Sequence, residues 1–291
     1  MELVKEWRSF GGAVRRYRHA SPSLGGLAAT FTVFLPSAAL GESPQPVPAI
    51  VFLAGLTCTD ENFITKAGAI AHAEAHALAL ICPDTSPRGA NLGPEESAAW
   101  DFGLGAGFYV DATQAPWATN YNMASYVGDE LPALLAAHLP AVDTSRLSIM
   151  GHSMGGHGAL TLALRRPGAY RSVSAFAPIC HPSECPWGVK ALGGYLGPER
   201  AAWGAYDATA LVRGLAAGRA ADLHLLVDQG GADEFLEKGQ LRPQDFLDAA
   251  AAAGVPVDYR LRPGYDHSYF YIATFVGEHV AHHARFLRGA A

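Results

Sequence analysis

The stretch Gly151-His152-Ser153-Met154-Gly155 constrains the fold more than any other. The apolar run Leu147-Ser148-Ile149-Met150 ahead of it reads as a buried strand, and Met154 to Leu164 behind it reads as a helix. A serine at the tip of such a strand–turn–helix is held in a strained conformation. Its flanking glycines are required because a Cβ there would strike the strand or the helix. The chain holds 32 glycines, so the five-residue pattern alone is open to chance. Its setting decides the matter: a strand before, a helix after, and Gly156 and Gly158 to let helix and sheet approach closely. Ser153 is therefore the candidate nucleophile.

The rest of the chain supplies a sheet for that turn. Val14 to His19 and Thr30 to Leu35 alternate polar and apolar residues, which predicts antiparallel strands with one wet face. Pro36 to Pro48 reads as a surface loop. Ala49 to Ala54 is a continuous apolar run, too short for a helix and β-branched enough for a buried parallel strand. Leu78 to Cys82, Val173 to Ala177, Leu223 to Asp228 and Val257 to Leu261 read as further strands. Helices are predicted over 67–77, 123–139 (with Pro132 as a defect), 244–253 and 271–287. Residues 84–118 have no period and carry Trp100, Phe102, Phe108, Tyr109 and Trp117. These aromatics either wall a substrate cleft or pin the loop to the core, and both readings stay open. Alternating strands and helices predict one α/β domain over 1–291, a mostly parallel sheet covered by helices on both faces, with antiparallel strands at the N-terminal entry. That is an α/β-hydrolase pattern.

Composition excludes several classes of function. With 49 % apolar and 16 % charged residues in 291, the chain suits one globular domain with a large core. No apolar run is long enough to cross a bilayer, and Met1 to Trp7 lack the apolar core of a signal peptide, so a cytoplasmic protein with no membrane partner is expected. A net charge of −6 without a long basic cluster gives no footprint for nucleic acid. Cys58, Cys82, Cys180 and Cys185 are too few and too scattered for a disulfide framework and are expected as thiols. The spacing of Cys180, His181 and Cys185 does not fit a zinc knuckle, and His72 and His76 have no carboxylate motif beside them. No metal is expected, and the two helix histidines read as surface.

A serine hydroxyl needs an adjacent base, and the base needs a third group to orient it. In this architecture the order along the chain is serine, acid, histidine. Of the twelve histidines, His267 lies in a loop between the last strand and the last helix, where it can swing over the serine. His279, His282 and His283 are expected on the solvent side of the final helix, and His157 as a packing residue. Position favours Asp233 as the acid, a short turn beyond the strand ending at Asp228. Asp228 itself is the competitor, with a loop-fixing role as its other reading, and Asp266 is expected to point away from His267. The loop Gly55-Leu56-Thr57-Cys58-Thr59, directly after an apolar run, is placed to supply one oxyanion amide, and Met154 the other.

These stretches resemble the S-formylglutathione hydrolases, also called the esterase D family. The likeness is carried by Gly55-Leu56-Thr57-Cys58-Thr59-Asp60-Glu61-Asn62-Phe63, Pro83 to Gly89, Gly105 to Thr113, Gly151 to Leu160, and Gly264-Tyr265-Asp266-His267-Ser268-Tyr269. It implies Ser153 as nucleophile, His267 as base, Asp233 as acid, and Leu56 and Met154 as oxyanion donors. It also implies hydrolysis of a small-molecule substrate, S-formylglutathione, to formate and glutathione, the last step of glutathione-dependent formaldehyde removal, with no cofactor and often as a homodimer. Ala54 stands where a serine is common, and Gly231-Ala232 replaces more polar residues beside the acid. A general carboxylesterase of small acyl esters is the nearest alternative, and an acyltransferase would use the same residues. Cys58, two residues past the oxyanion donor, is either a thiol-sensitive position in the cleft or an inert buried thiol. Lys66, Arg88 and Lys190 are the cations available to the two carboxylates of glutathione.

Overall fold

The computed structural model describes residues 1–215 and 223–288. Glu2–Ser9 (β1), Gly12–Ser21 (β2) and Leu27–Leu35 (β3) form an antiparallel meander, followed by Val47–Leu53 (β4). Ala69–Ala75 (α2) is the helix predicted over 67–77, and Asn62–Lys66 (α1) is a short helix ahead of it that the sequence pattern did not mark, with a break between the two. The break falls at Gly68, whose φ of 69° lies in the left-handed region that glycine enters without penalty. Ala79–Pro83 (β5) follows. The predicted 123–139 helix is composite: Met123–Ser125 (α3), a π-helical turn over Tyr126–Glu130, then Leu131–His138 (α4). Pro132 sits at the start of α4, so the amide it lacks falls where the helix has already changed register.

The second half alternates as expected. Val142–His152 (β6), Met154–Arg165 (α5) and Val173–Phe176 (β7) lead into Pro186–Leu196 (α6) and Ala208–Arg213 (α7), two helices the sequence pattern did not mark. Leu225–Gly230 (β8), Glu234–Glu237 (α8), Pro243–Ala252 (α9), Val257–Arg262 (β9) and Tyr269–Leu287 (α10) complete the chain.

Among the described residues nine strands join one sheet in the order β1-β2-β3-β5-β4-β6-β7-β8-β9. From β5 to β9 every pairing is parallel, and β1, β2, β3 and β5 pair antiparallel. Helices flank this sheet, α5, α7 and α9 packing as one group and α2 with α10 as another, which is the α/β-hydrolase architecture. From β4 the chain runs to β5 on one side and returns as β6 on the other, so the strand order reverses between β4 and β6. Ligands of open α/β sheets bind outside the carboxyl ends of the strands at such a reversal. The loops after β4 and β6 are Gly55-Leu56 and Ser153-Met154. Among the described residues no helix is long and apolar enough to cross a membrane.

One expectation for α10 is overturned. His279 and His283 are fully buried and His282 is half-buried, not solvent-facing. Their spacing puts the two buried rings on the stripe of Val276, Val280 and Leu287 that faces the sheet, where serines of the β7 segment receive them. Ser172 Oγ meets His283 Nδ1 at 2.8 Å, Ser174 Oγ meets His283 Nε2 at 2.8 Å and His279 Nδ1 at 2.9 Å, and Phe176 stacks on His279. With every ring nitrogen but His279 Nε2 bonded there, imidazole is tolerated where an unpaired polar group would not be.

Candidate active site

Ser153 links β6 to α5 with φ 58° and ψ −119°, a conformation that costs a non-glycine residue about 1–3 kcal/mol. The neighbouring glycines show why the turn has this form. A Cβ on Gly151 would lie 2.0 Å from the carbonyl oxygen of Gly155, and one on Gly155 would lie 1.9 Å from that of Leu53. Gly158 meets the Tyr109 ring in the same way, so α5 sits directly against the sheet and the long loop. The Ser153 amide donates to the Phe176 carbonyl at 2.9 Å, tying the strained residue to β7.

His267 stands in the loop between β9 and α10. Its Nδ1 is 2.6 Å from Asp233 Oδ2, which fixes the tautomer: Nδ1–H donates to the carboxylate and Nε2 is left as an acceptor. Asp233 is fully buried at the N-cap of α8, where Oδ1 accepts from the Phe235 amide at 2.8 Å and Oδ2 also accepts from Gln229 Nε2 at 3.1 Å. Asp228 is not available to His267. Its Oδ2 accepts from Arg262 Nε at 2.7 Å and lies 3.7 Å from His279 Nε2, so it joins β8 to β9 and α10 instead of fixing a loop. Asp266 accepts from the amide and hydroxyl of Ser268 at the start of α10.

Ser153 and His267 line one cavity of about 200 Å³, together with Gly55, Leu56, Cys58, Trp100, His152, Trp187, Phe235 and Tyr269. Gly55 brings the loop after β4 against the serine, since a Cβ there would come within 3.2 Å of Ser153 Cβ. Among the described residues nothing accepts from the amides of Leu56 and Met154, which flank the serine from the two loops. Unpartnered amides at a helix start and a tight loop are suited to an oxyanion.

The long 84–118 segment divides between its two readings. Trp100 is exposed and lines the cavity, meeting Trp187 edge to face. Phe102, Phe108, Tyr109 and Trp117 are packed inward, and the loop they anchor braces the residues after β4. Tyr109 Oη donates to the Ala54 carbonyl at 2.9 Å, the Thr57 amide to Gly105 O at 2.9 Å, and Thr85 Oγ1 to Cys58 O at 2.5 Å. His157 belongs to the same brace, with Nε2 2.9 Å from Phe108 O and burial pushing its pKa down to about 4. Sequence reasoning did not single out Gln229, Phe235, His152 or Trp187. Only Phe235 had a legible signal, two residues past an N-cap aspartate.

Of the three cations, Arg88 is held by Asp84 and Cys58 O, and Lys190 by Asp101. Lys66 lies over the Tyr269 ring at 5.6 Å. Cys58 is half-buried in the cavity wall and burial pushes its thiol pKa up. Cys180 and Cys185 are buried thiols, and His181 Nδ1 pairs with Asp245 at 2.7 Å. Among the described residues no three His, Cys, Asp or Glu converge as metal ligands would.

The chain resembles known proteins over nearly its whole length. The family described as "Putative esterase" matches residues 21–284. The chain is 52 % identical to an S-formylglutathione hydrolase of Rattus norvegicus over 289 residues, covering 99 % of each, and 49 % identical to one of Arabidopsis thaliana, covering 96 % of this chain and 95 % of the relative. A solved S-formylglutathione hydrolase from Agrobacterium tumefaciens superposes with a TM-score of 0.91 at 44 % identity, over 99 % of this chain and 100 % of that one.

Proposed function

Because the chain belongs to the S-formylglutathione hydrolase family, within the esterases, we propose that it hydrolyses the thioester S-formylglutathione to formate and glutathione through Ser153, His267 and Asp233. The observation that carries this reading is the 2.6 Å bond from His267 Nδ1 to the buried Asp233, in a cavity whose wall also holds the strained Ser153. Ser153 Oγ attacks the formyl carbon as its proton passes to His267 Nε2, and the oxyanion is held by the Leu56 and Met154 amides. The C–S bond then breaks and the imidazolium returns the proton to the departing sulfur. A thiol of pKa about 8.5 is a far better leaving group than an amine, so this proton transfer is undemanding. Water next gives a proton to His267 and attacks the formyl-enzyme, and the proton goes back to Ser153 Oγ as formate leaves. With Arg88 and Lys190 already paired, Lys66 is the cation best placed to meet a glutathione carboxylate at the rim.

Four free thiols suit the reducing cytoplasm. A homodimer is also proposed, with the exposed strand β1 and its Leu3, Val4 and Trp7 as available surface, and no nucleic-acid partner.

The test is kcat/KM for S-formylglutathione against nitrophenyl acetate, in the wild type and in Ser153→Ala. A large thioester preference, lost with the serine hydroxyl, is expected. Comparable values on both substrates would make a general carboxylesterase the better description, and product diverted to an added alcohol would make it an acyltransferase.

A further inference from the structure

The mechanism above leaves one imidazole of the cavity unused. His152 ends β6 immediately before the serine, is only 7 % exposed, and lines the same cavity. Among the described residues no side chain bonds either ring nitrogen, and the polar group that faces the ring is the backbone of His267. A buried polar ring so weakly satisfied is costly, so its position calls for a reason beyond its own hydrogen bonding.

The surroundings supply one. The ring of His152 lies 4.5 Å from that of His267, tilted by 44°, and Phe235 meets His267 edge to face at 4.8 Å. Among the described residues the His267 ring is hydrogen-bonded at Nδ1 alone, and a ring bonded at one atom can still rock about that bond. Contacts from His152 and Phe235 remove that freedom. His152 is in turn confined by the loop after β4, since a Cβ on Gly55 would come within 3.3 Å of its Nδ1. The ring therefore sits between the loop that carries a proposed oxyanion donor and the ring that carries the proposed base.

Resting on the Ser153–His267 reading, we infer that His152 is a positioning residue: its ring acts as a spacer that holds the His267 imidazole in the plane aiming Nε2 at Ser153. Burial and the neighbouring His267 keep the spacer uncharged, and an uncharged spacer does not oppose the positive charge that His267 acquires as it takes the serine proton.

The experiment is a double-mutant cycle of His152→Ala and His267→Ala, with His152→Phe as the ring-preserving variant. Rates are measured on both S-formylglutathione and nitrophenyl acetate. A fluorophosphonate titration of Ser153, run to completion, counts the competent fraction wherever His267 is present, and circular dichroism with the melting temperature establishes folding in the His267→Ala background, so misfolding does not enter kcat. For His152→Ala, kcat per titrated site should fall on the order of 10- to 100-fold. KM should stay within about twofold if only the orientation of the base is lost. His152→Phe should restore most of kcat, and His152→Ala should have no further effect in the His267→Ala background. Unchanged kcat in His152→Ala, an equal loss in the Phe and Ala variants, or an additive loss in the double mutant would each overturn the inference. The effect should appear on both substrates, so failure of the thioester assignment leaves it standing, whereas full activity in His267→Ala would sink the mechanism itself.

Discussion

Acid should destabilise this protein well before its carboxylates protonate. His157 and His282 are pushed down to about 4 by burial, and His19, His152, His279 and His283 are lowered for the same reason. An unfolded histidine titrates near 6.5. Between that value and the lowered native one, the unfolded chain binds protons the native chain cannot. Stability is therefore complete above about pH 6.5 and is lost as pH falls from there towards about 4. At pH 5 the loss is about 2 kcal/mol each for His157 and His282, together about 4 kcal/mol before the other four rings are counted. Native domains have only about 5–15 kcal/mol to lose. Urea unfolding at pH 7.5, 6.5, 5.5 and 5.0 should show the midpoint falling by more than ~1 M, nearly all of it below pH 6.5. Carboxylates held low by partners, such as Asp143, Asp245 and Asp266, begin to matter only below about pH 4 and cannot mimic this window. Replacing His157 with Asn, which can keep a donor to Phe108 O, should flatten the profile by one proton. A midpoint that stays level from pH 7.5 to 5.0 would refute the reasoning.

Three further outcomes follow from the geometry of the site. With its thiol pKa raised by burial, Cys58 should react slowly with iodoacetamide at pH 7.5 and about tenfold faster per pH unit above it, with mass spectrometry locating the adduct. A bulky mercurial should block turnover in the wild type and spare Cys58→Ser, and equal sensitivity in the two would show that the thiol does not wall the cleft. Gly155→Ala should cost at least ~3 kcal/mol, because its Cβ would overlap the backbone carbonyl of Leu53, which cannot rotate away. A Gly155→Ala enzyme with wild-type melting temperature and activity would contradict the close approach of α5 to β4.

The elbow was legible because three independent signals coincide there: an apolar run of strand length, a small-residue helix, and glycines where any Cβ would collide. The core strands β4, β5, β7 and β8 were legible for the simpler reason that both of their faces are buried. β1 was not, since Glu2, Lys5, Glu6 and Arg8 alternate with Leu3, Val4 and Trp7 on a strand exposed along nearly its whole length, and exposure leaves no hydrophobic period to read. The burial of the α10 histidines shows in their spacing and not in their polarity. His279 and His283 are four apart and fall on the same stripe as Val276 and Val280, a pattern visible in the sequence, while the serines that receive them lie in a segment read only as a strand. The brace formed by 84–118 had no period because its order comes from side-chain hydroxyls and backbone carbonyls scattered along irregular chain. No sequence window records such bonds.

The two aspartates of the 228–233 segment illustrate how the sheet carries the chemistry. Position alone left them as rivals, five residues apart on one strand and its turn. In the structure they hold the two ends of one unit. A carboxylate facing His279 Nε2 favours the proton on that nitrogen, which leaves Nδ1 to accept from Ser174 Oγ–H. Ser174 then accepts from His283 Nε2–H, His283 Nδ1 accepts from Ser172, and Ser172 accepts from Ser148, 2.8 Å away. Every donor in this buried chain points the same way, from β6 through β7 and α10 to Asp228, which Arg262 keeps ionised. Asp228 thus fixes the middle of α10 against the sheet, and Asp233 fixes the loop from which α10 starts by binding His267. A helix held at both points cannot slide along the sheet. His267 is thereby referred to the same strands that set the position of Ser153.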